Sequence, residues 1–231
     1  MKILAVDTST RICSVAVIEN QALLAELTLN HGHTHSTHLM PMIETLLNQC
    51  RLSVHDLDAF AVTVGPGSFT GLRIGISTVK GLAYGASKPV TGVSALEALA
   101  YQFPFASSII CPMIDARKGE VYTAGYRFVD GALAEAWPPT ACAPSEVLEN
   151  IPDTCLFVGN GARLYKDLIS DAAGSRAFFA PLGQDYIRAV AVGLLGYQLI
   201  NRRQETPLAD LNPWYIRPSD AEKMLFSAGS D

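Results

Sequence analysis

Two aspartates stand where apolar runs end, and carboxylates in such places can hold a metal-bound phosphate. Asp7 follows the run Ile3–Val6, and Asp115 ends a second apolar run in the other half of the chain. If the two turns face each other across a cleft, their carboxylates could meet a divalent cation there. The candidate nucleotide-binding residues of the first turn are Asp7, Thr8, Ser9 and Thr10. The same residues suit a polar hairpin that bonds to its own backbone, and the sequence favours that interpretation.

Four histidines form a cluster that could be taken for a zinc site. They are His31, His33, His35 and His38. Alternate residues on a strand point the same way, and zinc accepts imidazole ligands. Gly32 and Thr34 favour a loop, however, and no cysteine or carboxylate lies close by to complete a ligand shell. We therefore predict no metal site and expect these histidines to position a helix at a subunit interface.

The glycine-rich loop Gly65-Pro66-Gly67-Ser68 could cradle a phosphate, but it matches no known phosphate-binding pattern. For a P-loop, the spacing from Gly67 to Gly71 is one residue too short, and Leu72 replaces the lysine. A dinucleotide fingerprint fails at Thr70, and no G-x-S-x-G nucleophile elbow occurs. What remains is the general ability of a helix N-terminus to hold an anion. No catalytic residue is predicted.

The amino-acid composition argues against a nucleic-acid-binding protein and against a membrane-spanning one. Of 231 residues, 49% are hydrophobic and 17% charged, and the mean hydropathy of +0.22 hints at a buried interface. The net charge is −5, and the longest basic run is Arg202-Arg203, so the chain lacks the electrostatic footprint of a nucleic-acid binder. Any RNA must be held mostly by another chain. The five cysteines are scattered, and no stretch is long enough for a membrane span, so we expect a cytoplasmic protein with reduced thiols.

The pattern of apolar runs and turn residues predicts the order βββαβαβα for the first half. The predicted strands are Lys2–Thr8, Ile12–Glu19, Ala22–Leu29, Ala59–Val64 and Pro89–Val93. The predicted helices are His38–Leu52, Thr70–Gly85 and Ser94–Gln102, with Ser68 or Thr70 capping the second and a capping box opening the third.

The second half opens in the same way. Its predicted elements are the strands Ile109–Asp115, Glu120–Phe128, Ala132–Ala136 and Thr154–Val158, the helices Ser145–Ile151, Ala162–Ile169 and Asp185–Arg203, and a short strand at Trp214–Ile216. The predicted domains are 1–104, a smaller and degenerate 105–213, and a tail, 214–231. The sequence leaves open which half the last long helix packs against. Two successive βββαβα units predict an α/β fold of two tandem RNase H-like domains, the architecture of the actin/sugar kinase/Hsp70 (ASKHA) superfamily.

The helix after the glycine loop is apolar on more than one side. Leu72, Ile76 and Val79 share one face, whereas Ile74 and Leu82 lie elsewhere, so the helix needs cover from more than one direction. Glycines 71, 75 and 85 fall on a common line, where the close approach of another backbone would offset their cost in a helix. Either a neighbouring element of the same chain or a second subunit could supply the extra cover.

Three segments carry a family resemblance: ILAVDTST, HSTHLMPMIETLL and GPGSFTGLRIGISTVKGLA. Over at least the first 100 residues the chain resembles the TsaB (YeaZ) family. The resemblance implies a non-catalytic scaffold that pairs with a TsaD-type transferase, forms a homodimer when alone, and joins a TsaE-type ATPase. TsaD-type proteins move threonylcarbamoyl from threonylcarbamoyl-AMP to the adenosine beside the anticodon, so tRNA is expected to meet this chain only through the complex.

The resemblance also implies that the two N-terminal helices form the pairing surface. The implied interface residues are His38, Leu39, Met42, Ile43, Leu46, Leu72, Arg73, Gly75, Ile76, Val79 and Leu82. The paired-histidine metal motif of TsaD-like relatives is absent, and the turn after Asp115 lacks their Asp-x-Gly-Ser/Thr form. We therefore expect no required cofactor and little or no ATP turnover, with weak ATP or ADP binding at the interface left open. The alternatives are an autonomous ASKHA-type ATPase or small-molecule kinase, and a zinc-dependent hydrolase.

Overall fold

The structure is a computed structural model that describes residues 1–30, 35–151 and 154–217. The strands are β1 (Lys2–Asp7), β2 (Cys13–Glu19), β3 (Ala22–Leu29), β4 (Ala59–Gly65), β5 (Val90–Ser94), β6 (Ile109–Arg117), β7 (Glu120–Val129), β8 (Ala132–Cys142), β9 (Cys155–Val158) and β10 (Ala177–Phe179). The α-helices are α1 (His35–Cys50), α2 (Phe69–Ala86), α3 (Ala95–Ala100), α4 (Pro144–Asn150), α5 (Asn160–Leu164), α6 (Lys166–Ala173) and α7 (Ala189–Asn201).

The strands form two five-stranded sheets with the same internal order. The first sheet runs β3-β2-β1-β4-β5, and the second, taken in the equivalent direction, runs β8-β7-β6-β9-β10. In each sheet three antiparallel strands are followed by parallel ones. The repeated βββαβα unit predicted from the sequence is therefore confirmed. We call the first sheet with α1, α2, α3 and α7 the first lobe, and the second sheet with α4, α5 and α6 the second lobe.

Helices cover both faces of the first sheet at its centre, which explains why β1 and β4 are almost entirely apolar. Leu4 and Val6 of β1 lie in a core with α1 and α2, whereas Ile3 and Ala5 lie in a different core with α3 and α7. Alternate residues of a strand point to opposite faces, so a strand buried on both sides loses the apolar and polar alternation. The core around α3 and α7 also includes side chains of β6 and β7, so it joins the two lobes.

The last helix, α7, returns to the first lobe. Its N-terminus is fixed by Glu26 of β3, whose carboxylate accepts from the Val190 amide at 2.9 Å and from Arg188 Nε at 2.9 Å. The Ala189 amide donates to the Ser14 hydroxyl at 3.0 Å. Polar groups of the first sheet thus satisfy amides that a helix start leaves without intrahelical partners. Residues 189–201 therefore pack on the first sheet although they follow the second lobe in sequence. The predicted domain boundaries, 1–104, 105–213 and 214–231, stay a prediction.

Several predicted elements differ in the structure. The first helix begins at His35 and not at His38, which places Pro41 inside it. The predicted helix Ala162–Ile169 is two helices, α5 and α6, that meet at Tyr165, and the sequence gives no warning of β10. The predicted strand Trp214–Ile216 is wrong, because that segment is irregular even though the Trp214 amide bonds to Val64 of β4. Within the residues the structure describes, no helix is both long and apolar enough to cross a membrane.

Candidate functional site

A cleft of about 850 Å³ lies between the two lobes, at the ends of β1 and β6. The first lobe contributes the turn after β1, the start of α1 and the loop before α2, and the second lobe contributes the turn between β6 and β7 and the start of α5. The lining side chains that carry or can take up charge are Arg11, His35, Asp115, Arg117, Lys118 and Arg217. One carboxylate thus faces several cations, and such a cleft attracts anions.

Asp7 does not belong to the walls of this cleft and is fully buried. Its Oδ1 accepts hydrogen bonds from the Ser9 amide at 3.1 Å, the Ser9 hydroxyl at 2.6 Å and the Thr63 hydroxyl at 2.7 Å. Its Oδ2 is buried without a hydrogen-bond partner among the described residues. Burial raises the pKa of Asp7, because desolvation outweighs the hydrogen bonds from Ser9 and Thr63. The carboxyl supports the turn from inside and is not presented to a ligand.

The rest of the first turn packs tightly against the glycine loop and α2. The Thr8 hydroxyl donates to the Gly71 carbonyl oxygen at 2.8 Å, and the Ser68 amide donates to the Ser9 carbonyl oxygen at 2.7 Å. A Cβ on Gly67 would lie 2.3 Å from that same Ser9 oxygen, so only glycine fits there. Thr8 and Ser9 are fully buried, as the polar-hairpin interpretation requires, although Ser9 and Thr10 reach the cleft lining.

The second turn is also held by its own side chains. Asp115 Oδ1 accepts from the Arg117 amide at 2.8 Å, and the Asp115 amide donates to Asn160 Oδ1 at 3.2 Å. The Arg117 guanidinium lies 3.7 Å from the same carboxylate. Arg117, Lys118 and Gly119 all have positive φ, at 66°, 56° and 82°. In both turns the carboxylate is already engaged within the chain, Asp7 with Ser9 and Thr63 and Asp115 with Arg117.

Three cleft residues are missed by sequence reasoning: Tyr122, Asn160 and Arg217. Asn160 carried a usable signal, because it sits between two glycines directly after a strand, where a backbone turn approaches its neighbours closely. Arg217 carried no such signal in the sequence. Its guanidinium bonds to the Glu120 carboxylate and, at 3.2 Å, to the Ala116 carbonyl oxygen, and nothing local in the sequence indicates contacts at such a separation.

The histidine cluster is only partly described, since His31 and His33 lie outside the described residues. His35 Nε2 donates to the Thr10 carbonyl oxygen at 2.7 Å, which ties the start of α1 to the first turn. Across residues 1–30, 35–151 and 154–217, no three His, Cys, Asp or Glu side chains lie close enough together to hold a metal ion.

Most of the residues proposed for the partner interface are buried within the chain itself. The buried ones are Leu39, Ile43, Leu46, Leu72, Gly75, Ile76 and Val79, none of whose apolar side chains is more than 3% exposed. They recur at helical spacing because that stripe covers the first sheet. Their role at a partner interface stays a prediction. The line of small residues also has a cause within the chain, because a Cβ on Gly71 or Gly75 would lie 2.1 or 2.3 Å from Thr8 atoms.

The opposite face of α1 and α2 is open. Of the proposed interface residues, His38, Met42, Arg73 and Leu82 remain at least partly accessible. Beside them lie residues that the periodic pattern did not single out, with Tyr84 79% exposed and Met40 46% exposed. A Cβ on Gly81 or Gly85 would meet no atom within 4 Å. We call this surface the outer helix face and define it by Met40, Met42, Arg73, Ile74, Gly81, Leu82, Tyr84 and Gly85.

Comparisons with known proteins place this geometry in a family. Residues 23–212 match the model of the family described as TsaD, tRNA N6-adenosine threonylcarbamoyltransferase. The tRNA threonylcarbamoyladenosine biosynthesis protein TsaB of Bacillus subtilis is 33% identical over 96% of both chains, and that of Escherichia coli is 35% identical over 73% of this chain and 75% of its own.

Solved structures agree with the sequence relatives. YeaZ from Pseudomonas aeruginosa superposes with a TM-score of 0.78 at 28% identity, covering 93% of this chain and 99% of its own. Component A of (R)-2-hydroxyglutaryl-CoA dehydratase from Acidaminococcus fermentans has a TM-score of 0.54 at 11% identity, covering 86% of this chain and 98% of its own, and so shares only the fold. The fold is the tandem RNase H-like arrangement of the ASKHA superfamily. The chain belongs to the TsaB (YeaZ) family.

Proposed function

We propose that this protein is a non-catalytic subunit required for forming N6-threonylcarbamoyladenosine in tRNA, and that it docks a TsaD-type transferase through the outer helix face. The observation that carries the proposal is that face itself, where two adjacent helices leave Met40, Tyr84 and the half-buried Leu82 open to solvent. The pathway is the one named for the TsaB relatives of B. subtilis and E. coli.

The composition of the outer helix face suits a protein partner. Aromatic residues, methionine and arginine are enriched in protein interfaces, and the face presents Tyr84, two methionines and Arg73. Gly81 and Gly85 leave a shallow strip along α2 where another helix could approach closely. The buried stripe of the same helix fixes the backbone of α2 on the first sheet, so little backbone entropy is lost on binding.

The non-catalytic part of the proposal rests on the first turn. In an ATPase of this fold a carboxylate at the end of β1 would have to reach the nucleotide, whereas Asp7 is enclosed by Ser9 and Thr63. Its raised pKa also disfavours the charged form that a metal ion needs. In the proposed complex the transferase performs the chemistry, a TsaE-type ATPase joins the pair, and tRNA is held mainly by the other subunits, because this chain carries a net charge of −5.

Association measured by sedimentation tests the docking surface. We expect Tyr84→Arg to weaken binding to the TsaD-type transferase at least tenfold, as for a central interface aromatic. Phe105→Arg is the matched control, because Phe105 is an aromatic that is 98% exposed and lies outside the outer helix face. Unchanged binding by Tyr84→Arg would remove the proposed surface. If the homodimer of the isolated chain uses the same face, Tyr84→Arg will also shift the isolated protein to the monomer.

The cleft supports one competing function, that of an autonomous ATPase or small-molecule kinase. Its cationic lining, with Arg11, Arg117 and Lys118, would suit a phosphate-bearing ligand. We expect the purified protein with Mg²⁺ to show no ATP hydrolysis above background. Hydrolysis that is lost in Asp7→Asn would favour the competing function over the scaffold.

A further inference from the structure

The chain beyond α7 forms an irregular segment with a turn at 208–210, and we call residues 204–217 the C-terminal strap. It is first fixed to the edge of the first sheet, where the Thr206 amide donates to the Val90 carbonyl oxygen at 2.9 Å and the Gly92 amide donates to the Thr206 hydroxyl at 3.1 Å. Leu211 is then fully buried in the core beneath α1 and α2. The strap is therefore anchored to the first lobe before it reaches the cleft.

The strap next crosses the end of β4 and the start of α2. The Trp214 amide donates to the Val64 carbonyl oxygen at 2.7 Å. A Cβ on Gly65 would lie 2.4 Å from the Trp214 carbonyl oxygen, so glycine is needed for this contact. The Tyr215 ring packs on Phe69 with centroids 4.5 Å apart, and its hydroxyl accepts from Arg73 Nε at 2.9 Å. These contacts hold the strap on the first lobe up to Tyr215.

Two residues later the strap reaches the second lobe. Arg217 bonds to the carboxylate of Glu120 and to the carbonyl oxygen of Ala116, and its side chain is only 16% exposed. Ala116 and Glu120 flank the left-handed turn between β6 and β7 that lines the cleft. One guanidinium thus holds both ends of a turn whose backbone conformation is costly for Arg117 and Lys118. The same residue lines the cleft beside that turn.

The two lobes are joined differently at the two ends of the cleft. Away from its mouth they share the apolar core around α3 and α7. At the mouth, the strap adds the polar contact of Arg217 with Ala116 and Glu120, next to Ile216, which packs against that core. An apolar core resists separation over its whole area, whereas a partly exposed ion pair can open without unfolding its surroundings.

We propose that the C-terminal strap is a latch: it stays fixed to the first lobe, and Arg217 fastens the β6–β7 turn across the mouth of the cleft. Release of Arg217 frees the turn and widens the cleft while both lobes stay folded. The latch does not rest on the proposed function, but it adjoins the outer helix face, since Arg73 of that face bonds to Tyr215 of the strap.

Hydrogen exchange of the full chain tests the latch, followed on peptides that cover residues 113–122 and 208–216. In Arg217→Ala we expect exchange in 113–122 to accelerate about tenfold, the effect of losing hydrogen bonds to a charged group. Exchange in 208–216 should be unchanged. Arg202→Ala is the matched control, since it removes an arginine that is exposed just after α7. Glu120→Gln should reproduce much of the effect from the other side of the contact.

Limited trypsin digestion gives an independent measurement, because the turn carries two cleavage sites at Arg117 and Lys118. We expect cleavage there to be faster in Arg217→Ala than in the unchanged protein or in Arg202→Ala. Equal exchange and equal cleavage in all three proteins would overturn the latch. Loss of protection in 208–216 as well would overturn it too, because Arg217 would then be holding the strap in place and not the turn.

Discussion

The Thr8 hydroxyl donates a 2.8 Å hydrogen bond to the Gly71 carbonyl oxygen, and the Thr8 carbonyl oxygen lies where a Cβ on Gly71 would have to sit. This double contact presses the turn after β1 onto the first turns of α2. It explains why a helix that carries glycines at a cost of roughly 1 kcal/mol each nevertheless forms. It also divides the glycines of α2 into two groups. Gly71 and Gly75 lie against Thr8, whereas Gly81 and Gly85 face open space.

The first prediction is that alanine substitutions in the two groups change the free energy of unfolding in opposite directions. Gly71→Ala would place its Cβ 2.1 Å from the Thr8 carbonyl oxygen, so we expect a loss of about 1–3 kcal/mol in the free energy of unfolding. Gly81→Ala meets open space and should raise that free energy by up to about 1 kcal/mol. Urea denaturation measures both. If Gly81→Ala also weakens association with the transferase, the glycine serves docking; a more stable protein with unchanged association would show that it does not.

The second prediction concerns the pH dependence caused by Asp7. Its folded pKa is raised above the ordinary 3.8, so between these two values the folded state holds a proton that the unfolded state has released. Unfolding free energy therefore falls as pH rises through this window. Asp7→Asn keeps an oxygen for the Ser9 and Thr63 donors and removes the titration.

The measurement for Asp7 is a series of urea unfolding curves from pH 4 to pH 8. The stability of Asp7→Asn relative to the unchanged protein should grow as pH rises, by about 1.4 kcal/mol for each unit of pKa shift. A difference that stays constant over this range would mean that Asp7 is ionised throughout in the folded state.

The third prediction concerns Glu26, whose side chain is 10% exposed and accepts from the Val190 amide in the first turn of α7. We expect Glu26→Ala to lower the unfolding free energy by about 1–2 kcal/mol, because it removes a cap and leaves Arg188 without its carboxylate. Glu19→Gln is the control, since the Glu19 and Lys2 pair is exposed at 3.5 Å and should contribute less than about 0.5 kcal/mol. Equal effects of the two substitutions would contradict the capping role.

The fourth prediction concerns the thiols. Burial raises the pKa of Cys13 to about 12 and that of Cys111 to about 12, so at pH 8 only about one thiol in ten thousand is ionised. We expect iodoacetamide to leave both unmodified in the folded protein and to react first with Cys50 and Cys142, which are partly exposed. Mass spectrometry of tryptic peptides distinguishes them, and early labelling of Cys111 would show that the second sheet opens readily.

Much of the architecture could be predicted from local patterns. Strand boundaries follow from apolar runs and from turns such as Asp130-Gly131, and the cap of α2 follows from Ser68, which accepts from the Gly71 amide at 3.3 Å. The repeat of a βββαβα unit could be recognised because both halves place an aspartate at the end of their first strand. These signals are local, so a single sequence carries them.

Features that depend on distant contacts could not be predicted in this way. Periodicity shows that Leu72, Ile76 and Val79 share a face, but not whether that face meets a sheet or a second protein. The surface proposed for the partner includes Tyr84 and Gly81, which are exposed and lie outside the apolar stripe. The return of α7 to the first sheet and the reach of Arg217 to Glu120 depend on side chains far apart in sequence.

The position of α7 has a consequence for synthesis on the ribosome. The nascent polypeptide emerges from its N-terminus, so the sheet that contains Ile3, Ala5 and Ile18 is made long before the helix that covers them, at Ala189–Asn201. Until that helix has left the ribosomal exit tunnel, an apolar surface of the nascent chain stays exposed to solvent and can cause aggregation. We expect translation to be the stage at which this protein depends most on molecular chaperones.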